Sequence, residues 1–309
     1  MSSVNNCFAK VEKDCLNYIS SQETRSEKFK NKSKMIKSYL IPVCFWIAKK
    51  SIKKKPLIIG LSGGQGTGKT TITSMLKLIL QKYFKLKVFR ISIDDFYKTR
   101  KERKNLSKNI HPLLMTRGVP GTHDIKIMLN FFKKIKSKKF SFLKIPKFDK
   151  SIDDRCKNSQ WLKVYSKPDV IIFEGWCVGA KPQNTNELKK PVNNLEKFHD
   201  KNLIWRKFVN NNLKTYYKKL FKNINYFLYL KASSFPQLQS WRIKQEKKLS
   251  FKSKDRKGLK IMSNNDIINF MQTYQRITQN MFKETPKNSS IIFNLNSKHQ
   301  IKSIKYKSK

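Results

Sequence analysis

The sequence predicts an α/β protein of three layers (α/β/α), in which helices cover both faces of a mostly parallel sheet. Short apolar runs typical of buried strands alternate along the chain with longer segments of helical periodicity. These runs are apolar at nearly every position, as in strands that are buried on both faces. With 309 residues, of which 39% are hydrophobic, the chain is long enough for one large domain with its own core.

The first predicted strand, residues 56–61, leads into a glycine-rich loop and a helix. The loop at 63–70 has the sequence GGQGTGKT, which fits the pattern G-x-x-x-x-G-K-S/T. Apolar residues recur with helical spacing over 71–80, which predicts a helix there. Strand, glycine-rich loop and helix are the arrangement of a P-loop, in which backbone N–H groups hold a phosphate chain at a helix N-terminus. These flanks favour a P-loop NTPase fold over the alternative, an ordinary glycine turn.

The P-loop predicts ATP as the bound nucleotide and Mg²⁺ as its metal. We expect Lys69 to reach the β- and γ-phosphates and to serve catalysis by stabilising their charge, and the Thr70 hydroxyl to be a ligand of Mg²⁺. The residues of this segment predicted to bind ATP are Gly63, Gly64, Gln65, Gly66, Thr67, Gly68, Lys69, Thr70 and Thr71.

Two adjacent acids follow the second predicted strand, residues 87–93. Ligands of open parallel sheets bind at the carboxyl ends of the strands, and we expect this strand to lie next to the P-loop strand, with its end facing the γ-phosphate. Asp94 is the candidate base that accepts a proton from the attacking hydroxyl, and also a candidate Mg²⁺ ligand. Asp95 is expected to contact the substrate or the metal, and Tyr97 the substrate. A role in a turn or a helix N-cap is the alternative for the two acids.

A further buried strand is predicted at residues 167–175, and it ends in an acid and a glycine. Glu174 has the position of a Walker B acid, so we predict that it serves catalysis by positioning Mg²⁺ or contacting the substrate. An exposed acid at a strand end is the alternative. Gly175 would allow the close approach of another backbone segment.

The loop at 116–124, TRGVPGTHD, carries residues predicted to bind the acceptor, which is the substrate whose hydroxyl attacks the γ-phosphate. Its two glycines and its proline predict a rigid turn. Arg117 is expected to clamp a carboxylate, His123 to hydrogen-bond a hydroxyl, and Asp124 to be a further substrate contact. A helix N-cap is the alternative for Asp124, and a structural role is the alternative for His123.

Two more segments supply basic side chains. In residues 147–155, Arg155 is a candidate second anion contact, and a surface ion-pair cluster is the alternative for the loop. A segment near 242–263, which is rich in Lys and Ser, is predicted to form a lid over the phosphates, with Arg242 as an ATP contact. A solvated helix and loop is the alternative for this segment.

The remaining elements complete the alternation of helices and strands. Residues 1–33 have weak helical character, and residues 95–160 are expected to be rich in loops. Helices are predicted at 35–50, near 124–136, and at 203–222, 235–249 and 264–283, and strands at 226–230 and 291–295, before a basic tail. The aromatic residues predicted to lie in the core are Trp205, Tyr216, Tyr217, Phe221 and Phe227.

The net charge of +48 is the most unusual global property of the chain. Such a charge is typical of proteins that bind nucleic acid or a membrane surface. Arginine, which nucleic-acid surfaces use for bidentate and stacking contacts, accounts for only 10 of the 68 basic residues. The lysines are spread along the whole chain beside abundant Asn and Ile, as codon bias in an AT-rich genome would produce. We therefore expect no nucleic-acid partner, and the attraction of anionic substrates is a further alternative.

The cysteines predict neither a disulfide framework nor a zinc site, because they are odd in number and form no C-x-x-C pair. They are Cys7, Cys15, Cys44, Cys156 and Cys177. Free thiols fit a reduced cytoplasm. The longest apolar run near the start, residues 40–48, is too short to span a bilayer. We expect a soluble cytoplasmic protein without a membrane partner, and the sequence leaves its oligomeric state open.

Taken in order, these motifs resemble the D-glycerate 3-kinase family, which belongs to the P-loop kinases together with phosphoribulokinase, uridine kinase and pantothenate kinase. The resemblance runs from about residue 56 to about residue 295, through GLSGGQGTGKTT, SIDDFY, TRGVPGTHD, PKFDKSIDDR, DVIIFEGWCVGA and WRIKQE. It implies transfer of the γ-phosphate of ATP to a hydroxyl of D-glycerate, giving 3-phosphoglycerate. We expect a kinase domain over 51–309, preceded by an N-terminal helical and polar extension over 1–50.

The resemblance also separates the two acids. Asp94 falls where uridine kinase and phosphoribulokinase have their base, whereas Asp95 falls on a hydroxyl residue there, which favours Asp94 as the base. Arg117, His123 and Arg155 would then orient the acceptor.

Three alternative functions stay open at this point. One is a P-loop kinase for another hydroxyl compound, such as a nucleoside, pantothenate or a sugar phosphate. The second, suggested by the net charge, is a nucleic-acid-stimulated ATPase. The third is a binder without activity, which fits poorly because competent residues occupy positions 69, 70, 94 and 174.

Overall fold

The computed structural model describes residues 2–24, 28–252 and 262–307. The strands are β1 (Leu57–Gly63), β2 (Val88–Ser92), β3 (Leu143–Ile145), β4 (Phe148–Asp149), β5 (Asp154–Arg155), β6 (Leu162–Val164), β7 (Val170–Gly175), β8 (Tyr226–Lys231), β9 (Ile291–Leu295) and β10 (Ile301–Tyr306).

Helices precede the first strand and connect the strands that follow. They are α1 (Ser2–Gln22), α2 (Lys32–Lys34), α3 (Ile41–Lys53), α4 (Lys69–Lys82), α5 (Arg100–Asn109), α6 (Ile125–Lys136), α7 (Thr185–Lys189), α8 (Asn194–His199), α9 (Ile204–Asn212), α10 (Lys218–Phe221), α11 (Phe235–Lys252) and α12 (Asn264–Asn288). A π-helical turn, Met35–Leu40, joins α2 to α3, and a second one, Leu213–Tyr217, joins α9 to α10.

Within the described residues, six strands form the central sheet in the order β10-β9-β8-β1-β7-β2. Neighbouring strands are parallel except for β9 and β10. Hydrophobic clusters that include helical residues lie on both faces of this sheet, which confirms the predicted three-layer α/β/α fold. One detail of the prediction was wrong. The strand that ends before Asp94, β2, does not lie next to the P-loop strand β1, because β7 lies between them and pairs with both.

The P-loop strand shows why its residues are apolar on both faces. All seven residues of β1 are buried. Successive side chains of a strand point to opposite faces. Leu57, Ile59 and Leu61 accordingly pack into the cluster that contains α4, whereas Ile58 packs into the cluster that contains α6.

The N-terminal helices share this core. Cys7, Val11, Cys15 and Ile19 recur at every fourth position of α1, are fully buried, and pack into the cluster that also contains β1 and α4. The predicted weak helical character of residues 1–33 was an underestimate, since α1 alone is a helix of 21 residues. The division into an extension and a kinase domain at residue 50 stays a prediction.

Several elements were not predicted, among them the short strands β3 to β6, the short helices α7 and α8, the helix α5 and the strand β10. Residues 100–109, in a region expected to be rich in loops, form α5, which begins at a capping box between Thr99 and Glu102. The sequence of α5 consists mostly of charged and polar residues, and its buried side chain is Arg103. Because the helix has no apolar stripe, the sequence pattern does not indicate it. The predicted basic tail contains the edge strand β10, in which Ile301 is the buried residue.

One predicted core residue is exposed, and part of the predicted lid lies outside the described residues. Tyr216 was predicted to be core, but its ring is 54% exposed, whereas its neighbour Tyr217 is fully buried. Of the predicted lid near 242–263, residues 253–261 lie outside the described residues. The described part of the chain contains no helix that is both long and apolar enough to cross a membrane.

Candidate active site

The P-loop connects β1 to α4, and glycine shapes it. Gly66 has a φ of 77°, in the left-handed region, and a Cβ on it would lie 2.9 Å from the Cβ of Trp241 on α11. Gly68 is the N-cap of α4 and has no side chain to bond the first N–H groups of that helix. These N–H groups are therefore free to bind an anion, as the sequence predicts.

Lys69 begins α4, and its ammonium group is held by the loop. Its Nζ donates to the carbonyl oxygens of Gly63 at 2.8 Å and of Gly64 at 3.0 Å. Burial lowers the pKa of Lys69, whereas the negative charges of Glu174 and Asp94 act in the opposite direction. The structure thus brings the three predicted catalytic residues close enough to act on one another's charge.

Glu174 ends β7, between the P-loop strand and β2. The strand register places it opposite Leu61 of β1 and Ser92 of β2. Glu174 is only 6% exposed, so it is not the exposed strand-end acid of the alternative interpretation. Burial raises its pKa, and the positive charge of Lys69 opposes that rise.

The oxygen donors in this region suit Mg²⁺. They are the hydroxyl of Thr70, at the exposed start of α4, and the carboxylates of Asp94 and Glu174. Magnesium at phosphate-transfer sites usually takes one or two carboxylates, together with phosphate oxygens and water. Among the described residues, no group of three or more His, Cys, Asp or Glu side chains is placed to hold a metal. The assignment of these three ligands stays a prediction.

Asp94 lies in the first turn of a 3₁₀-helix, Ile93–Phe96, whose N-cap is Ser92. Its carboxylate accepts from the Tyr97 hydroxyl at 2.9 Å and from the Lys150 ammonium at 2.7 Å. Burial disfavours the charged carboxylate, but Lys150, His123 and Tyr97 together more than offset this cost, and the pKa of Asp94 lies below its ordinary value. Because Ser92 fills the cap position, the cap role does not hold for the two acids, but both lie in the 3₁₀ turn that follows, as the turn alternative predicts.

Asp95 differs from its neighbour in its charge. Burial raises its pKa to about 6, while the backbone N–H of Ser92 acts in the opposite direction and the negative charge of Asp94 adds to the rise. Near neutral pH, therefore, Asp94 is the more fully ionised of the two acids.

The loop 116–124 is fastened to the segment that follows Asp94. Backbone hydrogen bonds of 2.7 and 2.8 Å join residues 96–98 to residues 122–124. Tyr97 and His123 form a β-bridge, and their rings stack with centroids 4.5 Å apart. Since Tyr97 also binds Asp94, this loop is held beside the candidate base.

The predicted rigidity of this loop has a structural basis at Gly118. Its φ of 140° is unfavourable for other residues, and a Cβ there would overlap the hydroxyl of Tyr274. The carbonyl of Gly118 accepts from Trp176 Nε1 at 3.0 Å, and its N–H donates to Thr122 Oγ1 at 3.0 Å. The loop therefore has hydrogen bonds on both sides of its tightest point.

His123 is almost fully buried, with 1% of its surface exposed. Its Nδ1 lies 2.6 Å from the hydroxyl oxygen of Tyr217, and its Nε2 is buried without a hydrogen-bond partner among the described residues. Burial lowers the pKa of His123 to about 3, although the charge of Asp94 acts in the opposite direction. The ring is therefore neutral at physiological pH.

Asp124 and Arg155 make internal contacts. Asp124 is the N-cap of α6, where its Oδ1 accepts from the N–H of Ile127 at 3.1 Å, as the structural alternative predicts. The guanidinium of Arg155 donates to the carbonyl of Tyr97 at 2.7 and 3.1 Å and to Asp124 at 3.4 Å. Both residues hold the loop in place, and their contact with a substrate stays a prediction.

Arg117 is more accessible than Arg155. Its side chain is 27% exposed, packs over the ring of Phe148, and pairs with Asp153 of the hairpin formed by β4 and β5. This pair belongs to the ion-pair cluster that was the alternative interpretation of residues 147–155. Arg117 as a carboxylate contact stays a prediction.

Arg242 lies beside the P-loop but is paired within its own helix. Its backbone nitrogen would be 3.2 Å from a Cβ on Gly66, while its guanidinium donates to Glu246 at 2.6 Å. Contact between Arg242 and ATP stays a prediction.

Two residues of this region were not predicted to belong to the site. Lys150 pairs with Asp94 from the turn of the β4–β5 hairpin, yet nothing in the sequence sets it apart from the other lysines. Tyr217 was assigned to the core without a partner, and its hydroxyl binds His123 and Gly121. Its π-helical turn is a feature that often marks functional sites, but the sequence does not reveal it.

Comparison with known proteins identifies the family. No protein-family model matches the chain. An uncharacterised kinase of Schizosaccharomyces pombe is 34% identical over 228 residues, which are 71% of this chain and 79% of that protein. The chloroplastic D-glycerate 3-kinase of Arabidopsis thaliana is 30% identical over 270 residues, which are 81% of this chain and 56% of that protein. The chain belongs to the D-glycerate 3-kinase family of P-loop kinases.

A solved structure that shares the name of the plant relative has the same fold as this D-glycerate 3-kinase family member. The D-glycerate 3-kinase of Cryptococcus neoformans superposes with a TM-score of 0.72 at 23% identity, covering 86% of this chain and 98% of that one. At that identity the likeness shows the fold alone. The chain spans 79% of the length of the fission-yeast relative but only 56% of the plant relative.

Proposed function

We propose that this kinase transfers the γ-phosphate of ATP to a hydroxyl of D-glycerate, giving 3-phosphoglycerate. The observation that carries the proposal is the position of Asp94, whose charge acts on Lys69 of the P-loop and whose carboxylate binds Tyr97 of the acceptor side. D-glycerate as the acceptor is supported by the name of the plant relative.

The P-loop half binds and neutralises the phosphates. Backbone N–H groups of residues 64–69 bind the phosphate chain, and Lys69 exchanges its two carbonyl partners for β- and γ-phosphate oxygens. Thr70, Asp94 and Glu174 would hold Mg²⁺, which neutralises charge on the phosphate oxygens when bound. Catalysis in this half is positioning and charge stabilisation, since phosphoryl transfer needs little else from the protein.

The acceptor half positions the hydroxyl and takes its proton. Asp94 is ionised and therefore able to accept the proton of the attacking hydroxyl. Arg117, partly exposed at the edge of the loop, binds the acceptor carboxylate. His123 hydrogen-bonds an acceptor oxygen, and Arg155 keeps Tyr97 and the loop in register.

An ADP-release assay with a panel of acceptors tests the proposal. The panel contains D-glycerate, L-glycerate, uridine, pantothenate, ribulose 5-phosphate and single-stranded RNA, each with Mg-ATP. We expect selective turnover with D-glycerate, and phosphorus NMR identifies the position of the new phosphate. Turnover with another hydroxyl compound alone would mean that this compound, and not D-glycerate, is the acceptor. If RNA alone stimulated ADP release, and salt weakened this effect steeply, the protein would be a nucleic-acid-dependent ATPase instead of a glycerate kinase.

A further inference from the structure

Tyr217 ends the second π-helical turn and places its hydroxyl beneath the acceptor loop. The residue is fully buried. Its hydroxyl oxygen lies 2.6 Å from His123 Nδ1 and accepts from the backbone N–H of Gly121 at 3.1 Å. The ring also packs edge-to-face against His123, with centroids 5.8 Å apart. Ring packing and hydrogen bond together leave the imidazole one orientation.

The other partners of the Tyr217 hydroxyl determine the direction of the hydrogen bond between Tyr217 and His123. The backbone N–H of Gly121 occupies one acceptor position of the Tyr217 oxygen. Burial raises the pKa of Tyr217 well above its ordinary value, although the backbone N–H groups of Gly121 and His123 act in the opposite direction. The hydroxyl therefore keeps its hydrogen, which needs an acceptor. Among the described residues, His123 Nδ1 is the one acceptor within reach of the Tyr217 hydroxyl hydrogen. The hydroxyl therefore donates to Nδ1.

The proton of the neutral imidazole must then be on Nε2. A neutral histidine carries one N–H, and an Nδ1 that accepts a hydrogen bond leaves that N–H at Nε2. Nε2 is buried and has no partner among the described residues. A buried donor without a partner costs roughly as much as a lost hydrogen bond, so a ligand atom that completes it binds with a gain.

We propose that Tyr217 is a positioning residue, which fixes His123 in the Nε2–H tautomer so that Nε2–H donates to an oxygen of the acceptor. The stack of His123 on Tyr97, whose hydroxyl binds Asp94, places this donor near the candidate base. The identification of the acceptor rests on the proposed function. The fixed tautomer has a chemical consequence, because a carboxylate or hydroxyl oxygen is attracted to N–H and repelled by a nitrogen lone pair.

The tautomer is tested without any acceptor. Nitrogen-15 NMR of the full chain, labelled at histidine, distinguishes protonated from unprotonated ring nitrogens, and the chain has only four histidines. His123→Gln assigns the His123 signals by their loss. We expect Nε2 to be protonated and Nδ1 unprotonated in the unmodified protein, and this preference to be lost in Tyr217→Phe. A protonated Nδ1 in the unmodified protein would overturn the proposal, whatever the acceptor is.

Kinetics then test the effect on the acceptor. In Tyr217→Phe we expect KM for D-glycerate to rise about 10-fold while KM for ATP stays unchanged, since one oriented hydrogen bond is lost. Tyr216→Phe is the matched control, because the neighbouring ring is exposed, and it should leave both constants unchanged. An unchanged KM for D-glycerate in folded Tyr217→Phe, or an equal rise in both constants, would contradict the positioning role.

Two His123 variants keep the proposal testable if Tyr217→Phe does not fold. The amide nitrogen of His123→Gln reaches the place of Nε2, whereas the amide of His123→Asn reaches only the place of Nδ1 and keeps a partner for Tyr217. We expect Gln to retain most acceptor binding and Asn to lose it about 10-fold. The reverse order would overturn the proposal. Failure of the proposed function would show instead as no D-glycerate turnover by the unmodified protein, with the nitrogen signals as expected.

Discussion

The two halves of the candidate site are built in different ways. Apart from the candidate Mg²⁺ ligands Asp94 and Glu174, the phosphate-binding half comes from one continuous segment, residues 63–70, and acts mainly through backbone groups and a single ammonium. The acceptor half is assembled from distant segments, which include the turn after β2, loop 116–124, the β4–β5 hairpin and the π-helical turn at Tyr217. Its geometry depends on side-chain contacts between these segments.

This difference decides how each half responds to change. A backbone-built site fails when the backbone is strained or when its one charged side chain is lost. A site that is held together by side-chain contacts loses part of its geometry whenever one contact is removed. Variants of the acceptor half should therefore change acceptor binding and leave nucleotide binding intact. Kinetic constants for the two substrates therefore separate the halves.

The largest expected effect is that of Lys69→Ala. We expect kcat to fall roughly 10³-fold, because the variant removes a positive charge that stabilises the transferred phosphoryl group. The melting temperature should change little, since within the described residues the ammonium donates hydrogen bonds to just two loop carbonyls. Lys77→Ala on the same helix is the control and should leave kcat unchanged. A near-normal kcat in Lys69→Ala would remove this residue from the mechanism.

The next effect concerns the two adjacent acids. Asp94→Asn should lower kcat by at least about 100-fold, because the amide cannot accept the proton of the hydroxyl. Asp95→Asn removes the neighbouring charge, which is not bound to Tyr97 or Lys150, and should have a clearly smaller effect. Circular dichroism and steady-state kinetics check both variants. A larger loss in Asp95→Asn than in Asp94→Asn would exchange the roles assigned to the two acids.

A matched pair of glycine variants should separate the halves. Gly66→Ala places a Cβ against Trp241 and should raise KM for ATP, whereas Gly118→Ala places one against Tyr274 and should raise KM for D-glycerate. Each strained position costs about 1–3 kcal/mol, which corresponds to roughly 5- to 150-fold in KM. Equal effects of one variant on both constants would show that the two halves are coupled.

The sequence predicts the phosphate-binding half well because its determinants are local. The P-loop pattern, the strand before it and the helix after it are all contiguous, and the confirmed fold places them as expected. The strand ends that carry Asp94 and Glu174 are also visible as apolar runs that end in acids. Their order in the sheet is not local information, which is why the position of β2 next to β1 was predicted wrongly.

The acceptor half is less predictable because its contacts join residues far apart in the sequence. Lys150 reaches Asp94 over 56 positions and Tyr217 reaches His123 over 94. The charged helix α5 and the edge strand β10 were missed for a related reason, since neither has the continuous apolar pattern that marks a buried element. Sequence patterns therefore indicate where the acceptor loop lies, but not what holds it.

The smallest expected effect is that of removing the exposed ion pair between Lys150 and Asp94. Lys150 is paired with Asp94 at 2.7 Å, but its side chain is 61% exposed. Exposed ion pairs contribute little to stability because water screens them, so Lys150→Ala should change the free energy of unfolding by less than about 1 kcal/mol. Lys147→Ala, an exposed lysine of the same segment, is the control for the loss of charge. Urea unfolding of both variants measures the difference. A loss well above that of the control would mean that this ion pair anchors the β4–β5 hairpin, and the acceptor half would then depend on one contact rather than on many.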